Sequence, residues 1–376
     1  MWVKEVRLAD FRSYEKVEVA LEPGVTTFVG ANGQGKTNFV EAIGYASVLA
    51  SHRVANDAPL VRIGAERAVV GIEVVSAGRS NLIELELNPG RANRARLNRS
   101  PVQRPRELVG LVRSVLFAPE DLALVKGDPS DRRRFIDEIL IQRTPRMQGV
   151  KLDYERILKQ RNALLRSTSQ GTTADAGTLE VWDEQLATVG AELIAARVAL
   201  LDAIRPHLIL AYELLAGGAD AVSSVDADVH YQSSLGHVGD ASTDREVWRE
   251  RLLLGIAERR REEQARGLTV IGPQRDDLAL TLAGSPAKGF ASHGESWSIA
   301  LALRFSALDV MQADGDDPIL ILDDVFAELD TARRSRLTAR VHGQQQVLIT
   351  AAVAEDIPES LAGRRMRVTT GSVSDD

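Results

Sequence analysis

No cysteine occurs anywhere in the 376 residues. That absence excludes a disulfide framework, thiolate metal ligands and a cysteine nucleophile, and it fits a reducing cytoplasm, the expected location. No stretch approaches the roughly 20 apolar residues that a membrane helix needs. The opening Met1-Trp2-Val3-Lys4-Glu5-Val6-Arg7 lacks the apolar centre of a signal peptide, so neither export nor a membrane partner is expected. Positive charge is not in surplus: 46 basic against 53 acidic residues give a net charge of −7, which argues against a globally basic nucleic-acid coat. The histidines are scattered without metal-ligand spacing, no Ser-His-Asp constellation is legible, and no internal repeat is evident. What remains is ordinary for a soluble globular chain, 44% hydrophobic and 26% charged, with length enough for two packed domains.

Charge is nevertheless unevenly spread. Arg91, Arg94, Arg96, Arg99, Arg104, Arg106 and Arg113 crowd one stretch, and Arg132-Arg133-Arg134 is followed by Arg143, Arg146 and Lys151. Locally basic faces on an acidic protein dock on phosphates. The same composition also suits a solvated arginine-rich loop, and composition alone leaves both open.

The first forty residues alternate as strands do, and Val25-Thr26-Thr27-Phe28-Val29 runs straight into a glycine-rich loop. Asn38 to Ala50 then reads as a helix. Strand-like segments follow at Ala68 to Val75, Asn81 to Leu87 and Ser114 to Phe117. From about Asp131 the period becomes helical. The polar stretch Arg166 to Thr173 suits a loop or hairpin tip. Beyond it Trp182, Leu186, Val189, Leu193, Ala196, Leu200 and Ile204 recur at spacings of three and four, either an amphipathic core helix or a short coiled-coil seam. Asp244 to Arg266 is a further helix. Strands and buried helices return at Leu278 to Leu282, Glu295 to Met311, Pro318 to Leu322 and Gln346 to Thr350. The expected fold is α/β: a head whose halves, residues 1–125 and 267–368, flank a helical insertion at 126–266 forming a short antiparallel arm, with 369–376 a disordered tail.

Four motifs carry chemistry. Gly30-Ala31-Asn32-Gly33-Gln34-Gly35-Lys36-Thr37 fits G-x-x-x-x-G-K-T without mismatch and lies between a predicted strand and a predicted helix, the context it requires. Its glycines let backbone N–H groups turn toward a nucleotide's phosphates, Lys36 can reach the β and γ oxygens, Thr37 can ligate Mg²⁺, and the following helix directs its positive end at the same anion. Ile319-Leu320-Ile321-Leu322-Asp323-Asp324 ends an apolar strand in carboxylates: Asp323 suits the metal, and Asp324 suits orienting or deprotonating the attacking water. Ser292-His293-Gly294-Glu295 opens a helix, as an anion-binding corner or simply an N-cap. Ala327-Glu328-Leu329-Asp330 follows the metal strand. His52 is either a DNA or nucleotide contact or a capping residue.

In this order the motifs resemble an ABC-type ATPase head. Phe11-Arg12-Ser13-Tyr14, the loop through Asn38, and Lys126-Gly127-Asp128-Pro129-Ser130-Asp131-Arg132-Arg133-Arg134-Phe135-Ile136-Asp137 look SMC-like. With Leu49-Ala50-Ser51-His52-Arg53, Phe117-Ala118-Pro119-Glu120-Asp121-Leu122 and Gly272-Pro273-Gln274-Arg275-Asp276-Asp277-Leu278, they resemble the RecF family of bacterial recombination mediators, from Val3 to about Thr350. The resemblance implies ATP and Mg²⁺ as cofactors and an ATP-dependent, head-to-tail homodimer. It further implies binding to double-stranded DNA and its junctions with single-stranded gaps, and work with RecR and RecO in loading RecA. It also implies that Gly30, Ala31, Asn32, Gly33, Gln34, Gly35, Lys36, Thr37, Asn38 and Arg12 hold the nucleotide, while Ser292, Gly294 and Glu295 cap it from a second subunit. Arg53, Arg91, Arg94, Arg96, Arg132 and Arg133 are the expected DNA contacts. The alternative is the nucleotide-binding subunit of an ABC transporter. Two departures from ABC heads, Asp324 in place of a glutamate and Ala351 where a histidine often stands, imply slow hydrolysis. Pro119-Glu120 occupies the place of the glutamine loop.

Overall fold

The computed structural model of the chain describes residues 1–169, 176–217, 227–236 and 242–376. The chain opens with β1 (Trp2–Phe11), β2 (Tyr14–Ala20), β3 (Gly24–Val29) and α1 (Lys36–Val48). β4 (Ala68–Ser76), β5 (Arg79–Leu87), β6 (Arg94–Leu97), β7 (Ser100–Pro101) and β8 (Ser114–Phe117) follow. Next come α2 (Leu122–Lys126), α3 (Pro129–Arg143), α4 (Arg146–Ser169), α5 (Ala176–Ala216), β9 (Ala227–Gln232), α6 (Arg245–Arg266), β10 (Asp277–Leu282), β11 (Ser285–Pro286) and α7 (Ala287–Phe290). The chain ends with α8 (His293–Ala313), β12 (Ile319–Asp323), α9 (Thr331–Val341), β13 (Gln346–Ala351), β14 (Arg364–Thr369) and β15 (Ser372–Asp375). In their described parts, Met1–Leu122, Leu210–Ser224 and His293–Asp376 form one compact unit, and Ala123–Ile209 with Val225–Ser292 form another.

The first unit contains an antiparallel sheet in the order β2-β1-β4-β5-β6-β7 and a second sheet in the order β15-β14-β3-β13-β12-β8. In the second sheet β14, β3, β13, β12 and β8 run parallel, and only the terminal β15 is antiparallel. Every residue of β12 and β13 is buried, as expected of parallel strands covered on both faces. Phe39 and Ile43 of α1 join one core with Val6, Leu8 and Ile72 of the antiparallel sheet and Ile321 and Leu348 of the parallel one. This explains why α1 lacks a polar stripe: sheets cover it on two sides. Register pairs Asp323 with Thr350 and Thr350 with Phe28. The carboxyl ends of β3, β13 and β12 therefore share one edge, where open parallel sheets bind ligands.

In the second unit α4, α5 and α6 pack together. Tyr154 and Ile157 meet Leu186 and Ile256, while Ala187, Ala191, Ile194 and Val198 meet Trp248 and Leu252. The buried band on α5 is thus wider than the stripe legible in the sequence and wider than a two-helix seam. The arm is a three-helix lobe, joined by a small sheet β11-β10-β9.

Three boundaries differ from expectation. Residues 369–376 are not a disordered tail: β15 pairs with β14 through Met366–Asp375 and Thr369–Ser372, a long-range pairing that local composition does not carry. The second unit extends to Ser292 rather than 266, because β10 pairs along its whole length with β9. α4 continues through Ser169, so the expected loop at 166–173 begins later; residues 170–173 lie outside the described residues.

Candidate nucleotide-binding site

The glycine loop leaves β3 and enters α1, as the local sequence dictates. Gly33 and Gly35 sit at φ of 82° and 111°, conformations that L side chains rarely adopt. A Cβ on Gly30 would lie 2.3 Å from the Val368 carbonyl oxygen, and one on Gly35 2.8 Å from Ser13 Oγ. Lys36 is buried and turns its ammonium back into the loop, donating to the Gly30 carbonyl at 2.7 Å and, more weakly, to Ala31 O and Asn32 Oδ1 at 3.4 Å. Gln34 is tied down by the Thr370 hydroxyl at 2.7 Å.

The role of Phe11-Arg12-Ser13-Tyr14 is now physical. Tyr14 donates its hydroxyl to the Gly35 carbonyl at 3.0 Å, and Asn38 Nδ2 donates to Ser13 Oγ at 3.0 Å. The turn clasps the back of the loop. Arg12, at φ 54°, forms a fork–fork pair with Glu41 of α1, Nε to Oε2 at 2.9 Å and Nη2 to Oε1 at 2.7 Å. The Glu41 side chain is fully buried and also accepts from Ser51 and from Arg53 Nη1. Burial alone would raise its carboxyl, but the hydrogen bonds from Arg12 and Ser51 and the two guanidinium charges hold it below the usual range. Sequence reading passed over Glu41; its signal is an acid set among Phe39, Val40, Ala42 and Ile43, all buried.

His52 lies beside this cluster, and burial lowers its imidazole to about 4 against an ordinary 6.5, with the charges of Arg304, Arg53 and Arg12 acting the same way and Glu41 opposing. Its folded pKa lies below the unfolded one, so stability is lost as pH falls from 6.5 toward 4, where the unfolded chain binds the proton first. His52→Gln should therefore melt above the wild type in that window and lose the advantage above pH 7. Equal pH profiles of Tm would contradict this.

β12 ends at Asp323, and hydroxyls from two other elements meet its carboxylate. Thr37 Oγ1 donates to Asp323 Oδ1 at 3.0 Å, and the Thr350 hydroxyl donates to the same oxygen at 2.6 Å. Thr350 was not singled out from the sequence, although a hydroxyl ending an apolar strand was visible there. Burial lifts the Asp323 carboxyl to about 6; Asp324 and Glu120 add to the rise, and the threonine hydroxyls oppose it. Asp324 adopts a left-handed φ of 51° and donates its N–H to Thr350 Oγ1 at 2.9 Å, so its side chain leaves the strand at a sharp turn. Ala351 ends β13 with its carbonyl 3.3 Å from the Gly30 nitrogen.

Gly294, in the first turn of α8, lies under the Arg333 guanidinium, and a Cβ there would come 2.8 Å from Nη2 and push that flexible head aside. Arg333 also donates from Nε to Ser298 Oγ at 3.1 Å, and its own N–H is capped by Asp330 at 2.8 Å. The turn at Leu329-Asp330 is thereby locked to the start of α8, where Glu295 is half-buried. Ser292 is exposed and belongs to the second unit.

The expected DNA contacts separate by environment. Arg91, Arg94 and Arg96 are exposed, with Arg94 and Arg96 two apart on β6 and so on one face. Arg53 is split between Asn38 and Glu41. Arg132 is a correction: it is 6% exposed, pairs bidentately with Asp277 at 2.8 Å for both bonds, and spends Nη1 on the Leu124 and Gly127 carbonyls. A guanidinium so engaged holds the fold, with four hydrogen bonds committed within its own unit. Arg133 is half-buried and donates to the Asp276 carbonyl at 2.7 Å.

The RecF/RecN/SMC N terminal domain family matches residues 2–371. The DNA replication and repair protein RecF of Streptomyces avermitilis is 55% identical over 378 residues, covering 99% of each chain. That of Frankia alni is 53% identical over 379 residues, again covering 99% of each. Among solved structures, the recombination mediator protein RecF-ATP in the RecFOR pathway superposes with a TM-score of 0.89 at 26% identity, over 100% of this chain and 97% of that one. An SMC head bound to the C-winged helix domain of ScpA shares the fold, with a TM-score of 0.55 at 16% identity over 100% and 96%. No helix among the described residues is long and apolar enough to cross a membrane. The chain belongs to the RecF/RecN/SMC N-terminal domain family of ATPases, and within it to the RecF proteins of DNA replication and repair.

Proposed function

We propose that the chain is an ATP-dependent DNA-binding switch that hydrolyses ATP slowly and mediates recombination at single-stranded gaps. The observation that carries this reading is the meeting of Thr37, Asp323 and Thr350 beneath a glycine loop whose one ammonium, from Lys36, lies in its own hollow. The residues fit a nucleotide. Lys36 satisfies itself on weak carbonyl acceptors, which phosphate oxygens can replace with stronger charge-assisted bonds, and Gly30 and Gly35 leave no room for side chains. They also fit Mg²⁺, because Thr37 and Asp323 offer hard oxygens, and this ion is usually held by one or two protein oxygens plus phosphates and water. Bound Mg-ATP would supply the phosphoanhydride and the charge neutralisation for its cleavage. Lys36 would fix phosphate oxygens, Asp323 and Thr37 would hold the metal, and Asp324 would orient or deprotonate water. Without an imidazole at Ala351, and with a carboxylate one methylene short at Asp324, charge stabilisation is weak. Turnover above tens per second in purified protein would sink this point.

Ser292, Gly294 and Glu295 are assigned to cap the nucleotide of a second copy, giving two sites in a two-fold, head-to-tail dimer. Ser292→Arg is expected to bind ATP like the wild type but to lose ATP-driven dimerisation and at least tenfold in hydrolysis. Normal ATP-dependent dimerisation on light scattering would remove the trans cap. A solved relative that acts as a recombination mediator in the RecFOR pathway supports recombination partners, and RecR with RecO as those partners, RecA loading as the outcome and duplex DNA beside gaps as the substrate are part of this proposal. The exposed arginines of β6 and its hairpin are its contacts. The transporter-subunit alternative is not favoured by relatives that are DNA replication and repair proteins at 50–55% identity. The decisive experiment measures DNA binding by wild type and Lys36→Met, with and without ATP, on duplex, single-stranded and gapped DNA. ATP-independent binding by both would reduce the switch to a scaffold.

A further inference from the structure

The second unit holds a pocket of about 290 Å³ that the nucleotide reading leaves unused. Ser130, Arg133 and Arg134 line it from the first turns of α3, Lys151 from α4 and Arg197 from α5. The four cations face two lining carboxylates, Asp137 and Glu155, so the wall carries a surplus of two positive charges. Two of these groups are already matched. Arg197, 3% exposed, gives Nε and Nη2 to Asp137 at 2.8 and 3.0 Å and Nη1 to the Pro273 carbonyl at 2.7 Å. Burial opposes its charge, but Asp137 and Tyr231 together more than offset that and raise its pKa. Lys151 makes one contact with Asp137 at 3.1 Å and has donors to spare. Arg133 is different. It donates to the neutral Asp276 carbonyl, and burial and the like charge of Arg197 lower its pKa against the opposing pull of Asp277, Asp276 and Asp137. A guanidinium held against a second guanidinium, beside the positive end of a 15-residue helix, gains most from an anion.

We propose that this pocket is a phosphate site that takes one phosphate group of DNA. Its volume falls just below the usual range of ligand pockets, roughly 300 to 1,000 Å³, so it suits a single phosphate and its sugar rather than a free triphosphate nucleotide. The arginine run is thereby divided in role: Arg132 holds the fold on Asp277, while Arg133 and Arg134 meet the ligand. The proposal rests on the DNA-binding reading.

The test uses the full chain with saturating ATP and Mg²⁺ and gapped duplexes whose gap edge ends in a 5′-phosphate or a 5′-hydroxyl, read by fluorescence anisotropy. Ser130 is exposed in the first turn of α3, where an acid is tolerated, so Ser130→Glu puts a carboxylate in the pocket mouth without threatening the fold. Gln160→Glu, exposed on α4 and outside the pocket, makes the same change of charge. Ser130→Glu is expected to weaken binding at least fivefold, Gln160→Glu less than twofold, and inorganic phosphate should compete with wild-type binding beyond chloride at equal ionic strength. Weakening confined to the 5′-phosphorylated substrate identifies a terminal phosphate; equal weakening on both identifies an internal phosphodiester. Arg133→Ala gives the same readings should Ser130→Glu melt early. Wild-type binding that neither variant changes overturns the pocket alone, whereas a wild type that binds no DNA overturns the DNA reading with it.

Discussion

Lys36→Met is expected to lower ATP affinity by about 100-fold or more while leaving the melting temperature within a few degrees of the wild type. Lys36 is 3% exposed, and its ammonium contacts oxygen atoms of its own loop, with no carboxylate among its hydrogen-bond partners. Methionine keeps most of the length and apolar bulk of the stem, so packing against α1 is preserved, and the fold loses a buried cation that no carboxylate neutralises. Binding, by contrast, loses charge-assisted hydrogen bonds worth roughly 1.5–3 kcal/mol each, and two of them amount to two or more decades in Kd. Isothermal titration with ATP and a thermal melt on the same samples separate these effects. ATP affinity within tenfold of wild type would mean that the loop's backbone, and not Lys36, dominates the site.

The largest loss of stability is expected at Arg161→Met. Arg161 is fully buried in the helical lobe, where Nε meets Asp183 at 2.7 Å, Nη1 meets Thr269 Oγ1 at 2.7 Å, and Nη2 meets Glu263. Glu263 has no exposure of its own and also accepts the Val270 N–H at 3.0 Å, so α4, α5, α6 and the segment after α6 converge on one guanidinium. Methionine fills the space but leaves Glu263 buried without a charge partner, while Asp183 keeps Arg260. Breaking a buried pair from one side costs about 3–5 kcal/mol, which for a unit of this size is on the order of 10 °C in Tm. Arg161→Met/Glu263→Leu should recover much of that loss, since an apolar replacement on both sides is often neutral. A single variant that melts within two degrees of wild type would refute the account.

Much of the candidate site was legible because its chemistry is local. The strand into Val29, the loop from Gly30 to Lys36 and the helix after it are contiguous, and the φ values at Gly33 and Gly35 are those that only such a sequence accepts readily. The apolar run Ile319 to Leu322 marked a buried parallel strand and placed Asp323 at its end. Elsewhere the same reasoning reached a limit. A bidentate partner 145 residues away makes Arg132 structural, and no local composition distinguishes it from Arg133. A broad buried band on α5 looked like a narrow stripe until α4 and α6 were seen to cover it.

Sequence alone therefore determined that a strand, a glycine loop and a helix would present Lys36 and Thr37 to an anion, and that Asp323 would end a buried strand. Tertiary structure decided that Thr350 would hold Asp323 from the neighbouring strand, that Ser13 and Tyr14 would brace Gly35 and Asn38, and that Glu41 would gather Arg12 and Arg53. The physical reason is the sheet order β3-β13-β12-β8, in which neighbours are not consecutive in the chain. Backbone conformation is set by residues in covalent sequence, but which side chains meet at the carboxyl edge depends on how distant strands find their register.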